Sequence, residues 1–215
     1  MRLLKIIIAP RQTARELLAE KSLKWPLIIV LLLGFISSVG FYFSYLQHAY
    51  PPPREMIEAW GDFAMLPFFK IPAESYRLFL AQIMVPFLLG IWILMAGSAR
   101  LISILLGGKV TYKQYLILFA YSFFSFYLVA SILDAIYSGL MSGMILAALR
   151  NEYGPVLRQA FIIYPMIFWP TALVLAGIYN GIVCQEGEGW HWWKSVVVAA
   201  VTFIWPIVLI SFIMR

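Results

Sequence analysis

The residues of this chain that are best suited to chemistry are two carboxylates and an imidazole in one short stretch, Glu186, Glu188 and His191. Oxygen and nitrogen ligands of this kind can bind a cation weakly, although their spacing matches no established metal motif. The stretch that contains them, residues 186–194 (EGEGWHWWK), also has two glycines and three tryptophans. Glycines permit a sharp bend, and tryptophans collect at membrane surfaces. A tight turn is therefore the interpretation that the sequence favours over a cation site.

Asp134 is the carboxylate that falls within the predicted membrane spans, near the outer end of the third one. A charge inside a bilayer is costly, so an ionisable residue at that depth is a functional hypothesis. Headgroup water can reach this end of the span, and no Lys, Arg or His occupies the apolar middle of any span to pair with it. Asp134 is a candidate functional residue on this basis.

Familiar catalytic arrangements are missing from the sequence, which has no phosphate-binding loop and no HExxH motif. His48 and His191 lie on opposite sides of the predicted membrane, roughly 30 Å apart, so they cannot ligate one haem within a monomer. The single cysteine, Cys184, cannot form an internal disulfide or a cysteine-rich metal site. We therefore expect no enzymatic activity, no metal and no cofactor.

Composition indicates the elements that must position these residues. The chain has 215 residues, of which 63% are hydrophobic and 12% charged, against about 25% charged in an ordinary soluble domain. Five segments are long and apolar enough to span a bilayer. They are Pro26–Leu46, Phe79–Ala99, Tyr115–Ile136, Phe161–Cys184 and Ser195–Met214. The predicted fold is an all-α polytopic membrane helix bundle of five transmembrane helices; a sixth apolar stretch, Ser138–Leu149, is too short to span.

The basic residues predict the orientation of the chain. Ten Lys and Arg fall on the side of the N-terminus and six on the other side, which places the N-terminus inside and the C-terminus outside. Residues 1–25 are then a cytoplasmic basic, amphipathic segment, and residues 26–215 form the five-span domain with an external loop at 47–78. The net charge of +6 is explained by these basic residues, which we interpret as signals of membrane orientation. We therefore expect the lipid bilayer, and no nucleic acid, as a partner.

A short helix is predicted before the first span, over Pro10–Lys24. Proline is favoured in the first turn of a helix, and Thr13 and Glu16 have the spacing of a capping box. This helix could be a cytoplasmic docking helix, or it could be a basic juxtamembrane helix that rests on anionic headgroups.

Other features within the spans are candidates for packing. Prolines inside the spans can kink them as static features or as hinges; they are Pro86, Pro165, Pro170 and Pro206. Asn180 is predicted to be an interhelical hydrogen-bond partner. Arg100 is predicted at the inner interface, where its stem can extend towards water.

Residues 105–122, LLGGKVTYKQYLILFAYS, resemble the Yip domain family, named for Ypt/Rab-interacting proteins. In that family a Gly-Gly turn, here Gly107-Gly108, and a short polar stretch lead to a "(G/A)-Y-(A/S)" step, here at Tyr121. Ala9-Pro10 and residues 168–179, FWPTALVLAGIY, are also similar. One departure is Phe123-Phe124-Ser125, where family members often place a proline.

The resemblance implies a short prokaryotic-type member in the cytoplasmic (inner) membrane, acting with a protein partner or as a homo-oligomer. Some prokaryotic relatives accompany ABC-type export systems. The first hypothesis is a non-enzymatic membrane protein that acts through protein or lipid partners, as an accessory subunit of a transport complex or as a membrane organiser. The second is a small transporter or lipid-handling protein that uses the kinked helices and Asp134. An electron-transfer subunit is a weaker third possibility.

Overall fold

The structure is a computed structural model that describes residues 2–46, 73–133, 136 and 155–213. Every secondary-structure element within these ranges is helical. The candidate Asp134, the residue His48, the short stretch 138–149 and most of the predicted external loop lie outside the described residues.

The helices follow one another with short connections wherever the chain is described. They are α1 (Arg2–Ile8), α2 (Pro10–Leu18), α3 (Lys24–Leu46), α4 (Ala73–Leu105), α5 (Tyr112–Leu133), α6 (Pro155–Glu188) and α7 (Trp192–Ile213). α5 is α-helical over Tyr112–Phe119 and contains a π-helical turn at Ala120–Phe124.

Four of these helices are long and apolar enough to cross a membrane, within α3, α4, α5 and α7. They coincide with four of the predicted spans. The remaining predicted span falls within α6, a helix of 34 residues. Both α4 and α7 continue as helices through their internal prolines, Pro86 and Pro206. The total of five spans and the orientation of the termini stay predictions.

The first turn of α2 is built differently from its predicted capping box. Pro10 is the first helical residue, as expected, but no side chain caps the helix. Thr13 is buried, and its hydroxyl donates to the carbonyl of Ala9 at 2.9 Å. Glu16 instead pairs with Lys5 of α1. The predicted capping box is therefore wrong, because α2 begins at Pro10 and Thr13 lies inside the helix, where its main-chain amide also donates to the Ala9 carbonyl.

A capping box is present at the start of α5. The amide of Gln114 donates to the Thr111 hydroxyl at 3.4 Å, and the amide of Thr111 donates to Gln114 Oε1 at 2.8 Å. The two main-chain amides would otherwise lack partners at the helix end. This box fixes where α5 begins after the α4–α5 turn.

The π-helical turn of α5 lies at the centre of the core. All five of its residues are buried, and α1, α3 and α6 pack against it. Trp92 of α4 donates its indole N–H to the Leu116 carbonyl at 2.8 Å, and the Ser125 hydroxyl donates to the Ala120 carbonyl at 3.0 Å. Side chains thus bond carbonyls in and beside the irregular turn.

The N-terminal helices pack onto the bundle. Ala14 and Leu17 of α2 are fully buried, and α2 contacts α5 and α6. The Tyr179 hydroxyl of α6 donates to the Ile7 carbonyl at 2.7 Å, and Gln114 Nε2 donates to the Leu18 carbonyl at 3.3 Å. The apolar face of α2 is therefore used within the protein, and the helix ends at Leu18 rather than at Lys24.

Candidate functional site

The polar groups of the described residues concentrate at one end of the bundle. There the turn between α4 and α5 meets the turn between α6 and α7, with the end of α2 beside them. The feature that joins them is the carboxylate of Glu188, the last residue of α6. We call Glu188 and its four hydrogen-bond donors the clamp: Ser103, Lys109, Val110 and Tyr115.

Each oxygen of Glu188 accepts two hydrogen bonds. Oε1 accepts from the hydroxyls of Ser103 and Tyr115, the latter at 2.8 Å. Oε2 accepts from the main-chain amides of Lys109 and Val110, the latter at 3.1 Å. Hydrogen bonds to an ionised carboxylate are stronger than those between neutral groups. One side chain thus ties α6 to the end of α4, to the α4–α5 turn and to the start of α5.

Two adjacent glycines let the turn approach this carboxylate. Gly107 has a φ of +77°, in the left-handed region that L-residues with a side chain adopt only at a cost. A Cβ on Gly108 would lie closer than 3.0 Å to Ser103 Oγ, Glu188 Oε1 and Trp190 Cζ2. The first glycine supplies the backbone angle, and the second leaves room for the clamp.

Cationic side chains bond the carbonyls of the same turn. Arg100 donates to the Val110 carbonyl at 2.8 Å. Lys194 donates to the Leu106 carbonyl at 3.0 Å, and its Nζ lies 5.9 Å and 5.8 Å from the ring centroids of Trp190 and Trp193. The turn therefore presents amides to an anion and carbonyls to cations, which holds its backbone in a single conformation.

The other carboxylate of the stretch attaches α2. Glu186 is 2.8 Å from Arg15 and 3.5 Å from Arg11, and these arginine side chains are 72% and 67% exposed. Such exposed pairs contribute little to stability. His191 is exposed, and no cluster of three or more potential metal ligands occurs in the part of the chain that the structure describes. Both carboxylates bond to internal donors in a tight turn, in which Gly189 has a φ of +68°.

The hydrogen bonds of the clamp govern the ionisation of Glu188. Partial burial alone would raise the pKa of this carboxyl, but the bonds from Ser103, Tyr115, Val110 and Lys109 outweigh it and lower the pKa below the ordinary value of 4.5. A carboxyl group whose pKa is lower in the folded protein than in the unfolded protein stabilises the folded state. This stabilisation is complete at pH values above the pKa of the unfolded protein, and it is lost as the pH falls through the pKa of the folded protein.

We therefore expect the stability that Glu188 contributes to be constant from neutral pH down to about pH 5 and to decline below about pH 4.5. Thermal unfolding of the wild type and of Glu188→Gln in detergent, followed over this range, measures the effect. The difference between their melting temperatures should narrow on acidification. A difference in melting temperature that stays the same down to about pH 3 would contradict the conclusion that ionised Glu188 stabilises the fold.

A second polar pair lies deeper in the bundle. The Ser122 hydroxyl, in the π-helical turn, donates to Asn180 Oδ1 of α6, and both residues are buried. Asn180 Nδ2 has no hydrogen-bond partner among the described residues. Asn180, Cys184 and Glu188 are four residues apart and so share one face of α6. The pair is the kind of interhelical hydrogen bond that the sequence predicts for Asn180.

The structure brings three of the six sequence-predicted candidates together at the clamp: Arg100, Gly107 and Gly108. Tyr121 is buried in the π-helical turn, next to Ser122 and its partner Asn180, and Asp134 lies outside the described residues. Sequence reasoning missed Ser103 and Tyr115 and assigned Glu188 only to a turn. The spacing of four between Asn180, Cys184 and Glu188 was the signal that could have placed Glu188 on a buried helix face.

Comparison with known proteins gives one match. The family model described as the Yip1 domain matches residues 4–215 of the chain. Neither the curated proteins nor the solved structures that were searched gave a match.

Proposed function

This chain belongs to the Yip1 domain family, and from that premise we propose that it acts through partners in the membrane and not by catalysis. Its role would be that of an accessory subunit of a transport complex or of a membrane organiser. The protein partner is a second copy of the chain or another membrane protein. The proposed location is the cytoplasmic membrane of a prokaryote, with the N-terminus inside.

The observation that carries this proposal is the fixed end of the bundle. The clamp joins three elements to α6, and α2 is attached beside it through Glu186 and Gln114. The side chains of Glu188, Ser103 and Tyr115 bond to one another, and Arg100 and Lys194 bond to the backbone, which suits a surface with a preformed shape. A preformed surface loses less conformational entropy when a partner binds.

The exposed side of α2 is the part of this end best placed to meet a protein. Arg11, Gln12, Arg15 and Glu16 are exposed there, while the opposite side of the helix is buried against the bundle. Lipid, by contrast, accounts for the exposed apolar side chains of the spans. Examples are Phe35, Ile93 and Val196.

A photo-crosslinking amino acid placed at Gln12 tests the proposal in the full chain within its native membrane. We expect it to capture a discrete protein, seen as one band of higher mass and identified by mass spectrometry. The matched control is the same probe at Ile93, which is 50% exposed on a spanning helix and should capture lipid. Capture of no protein at Gln12, together with a monomer after extraction in mild detergent, would contradict the proposal.

A lipid-handling protein is the second candidate, and one groove favours it. Between α5 and α6 lies an apolar cavity of about 430 Å³ lined by Phe126, Leu133, Phe168 and Leu175 among others. This volume falls in the range of small-molecule sites. A liposome assay of lipid movement, with Asp134→Asn alongside, separates the two candidates. Equal rates in vesicles with and without the protein would exclude this second one.

A further inference from the structure

Four exposed lysines lie at the clamp end of the bundle, and we call them the lysine patch: Lys21, Lys24, Lys109 and Lys113. Lys21 belongs to the link between α2 and α3, Lys24 is the first residue of α3, and the other two flank the capping residue Thr111 at the start of α5. The hydrogen bond from Gln114 to the Leu18 carbonyl joins the start of α5 to the end of α2, which places both pairs at the same end of the bundle. Positive charge from residues far apart in sequence thus collects at this end.

The described acids of this end are already engaged with other groups. Glu188 is held in the clamp, Glu186 pairs with Arg11 and Arg15, and Glu16 pairs with Lys5. Glu20 accepts from the amide of Ser22. The salt bridges found within the described ranges involve cations outside the lysine patch, so its positive charge is available to an external anion.

Aromatic side chains place the lysine patch at the depth of the headgroups. Trp25 is 59% exposed next to Lys24, and Tyr112 is 40% exposed next to Lys113. Trp192 is 60% exposed at the start of α7. These three residues lie within the first two positions of three candidate spans, where tryptophan and tyrosine favour the membrane–water boundary. The neighbouring ammonium groups then lie at the level of lipid phosphates.

We propose that the lysine patch, with the aromatic residues beside it, is a binding surface for the headgroups of anionic phospholipids. Its charge complements the phosphate of a lipid, and the exposed rings fix its depth in the bilayer. The site overlaps the predicted basic juxtamembrane segment Pro10–Lys24 only at Lys21 and Lys24. The arginines of α2 face Glu186 instead, and the other two lysines belong to the α4–α5 turn and the start of α5. This inference does not depend on the proposed function, since capture of a protein at Gln12 does not involve the lysine patch.

Native mass spectrometry of the full chain in detergent tests the proposal, with phosphatidylglycerol and phosphatidylcholine of equal chain length as probes. We expect the wild type to retain more phosphatidylglycerol than phosphatidylcholine. Changing all four lysines of the patch to glutamine should lower that ratio about ten-fold, because each basic residue near an anionic surface adds to the attraction. The melting temperature should stay the same, because the four side chains are exposed.

The matched control removes four positive charges from the other predicted side of the membrane: Arg54→Gln, Lys70→Gln, Arg77→Gln and Arg158→Gln. It should keep the preference for phosphatidylglycerol. An equal loss in the two variants would show a general effect of net charge and overturn the proposal, as would no loss in the patch variant. Displacement of the lipid by inorganic phosphate would assign the surface to a free anion, which also overturns it.

Discussion

Replacing Glu188 by alanine is expected to lower the free energy of unfolding by about 3–4 kcal/mol, because it leaves four donors of the clamp without their acceptor. Two of these donors are main-chain amides of the turn, and the others are the hydroxyls of Ser103 and Tyr115. Ser103 and Tyr115 are buried, so water cannot readily replace the lost carboxylate. The contact between α6 and the α4–α5 turn would weaken.

Unfolding by SDS in mixed micelles, followed by tryptophan fluorescence, measures this change. Glu186→Ala is the matched control, since it removes the same charge two residues earlier on the same helix. It should cost less than about 1 kcal/mol, because its arginine partners are largely exposed. Glu188→Gln should fall between the two, with its carbonyl accepting from the amides and the hydroxyls turning to accept from its NH₂ group. Similar losses for Glu186→Ala and Glu188→Ala would contradict the clamp.

Replacing Gly108 by alanine is expected to cost about 3 kcal/mol, through displacement of the clamp and not through backbone strain. The new Cβ would press on Ser103 Oγ, Glu188 Oε1 and the Trp190 ring, each closer than 3.0 Å. The hydroxyl and the carboxylate end flexible side chains, but they can move aside only by breaking their shared hydrogen bond. The indole ring offers less freedom to move.

Two other glycines provide controls for this substitution, measured in the same SDS unfolding experiment. Gly107→Ala introduces a Cβ into open space at a φ of +77°, so it should cost about 1–2 kcal/mol from the backbone alone. Gly97→Ala, inside α4 and also facing open space, should be neutral or stabilising by up to about 1 kcal/mol. Equal losses of unfolding free energy for Gly107→Ala and Gly108→Ala would contradict this prediction. They would show that the cost comes from the backbone angle and not from loss of the space that the Glu188 carboxylate occupies.

These predictions differ in how far the sequence anticipates them. The glycine turn follows from Gly107-Gly108 directly, because few other residue pairs permit so tight a bend between two helices. The capping boxes show the opposite case, since Thr13–Glu16 and Thr111–Gln114 have the same spacing. One is absent and the other present. The position of the helix start decides between them, because Thr111 directly precedes the first residue of α5 whereas Thr13 is the fourth residue of α2. The spacing itself carries no information about where the helix begins.

The sequence by itself determined that this is a helical membrane protein and where four of its candidate spans lie. Apolar stretches of about 20 residues in hydrocarbon must bond their own backbone groups, and a helix does so within one segment. Only the tertiary structure decided the role of Glu188. Its donors are 73 to 85 residues away along the chain, and such contacts depend on how helices pack. The same packing places four lysines from distant parts of the sequence at one end of the bundle.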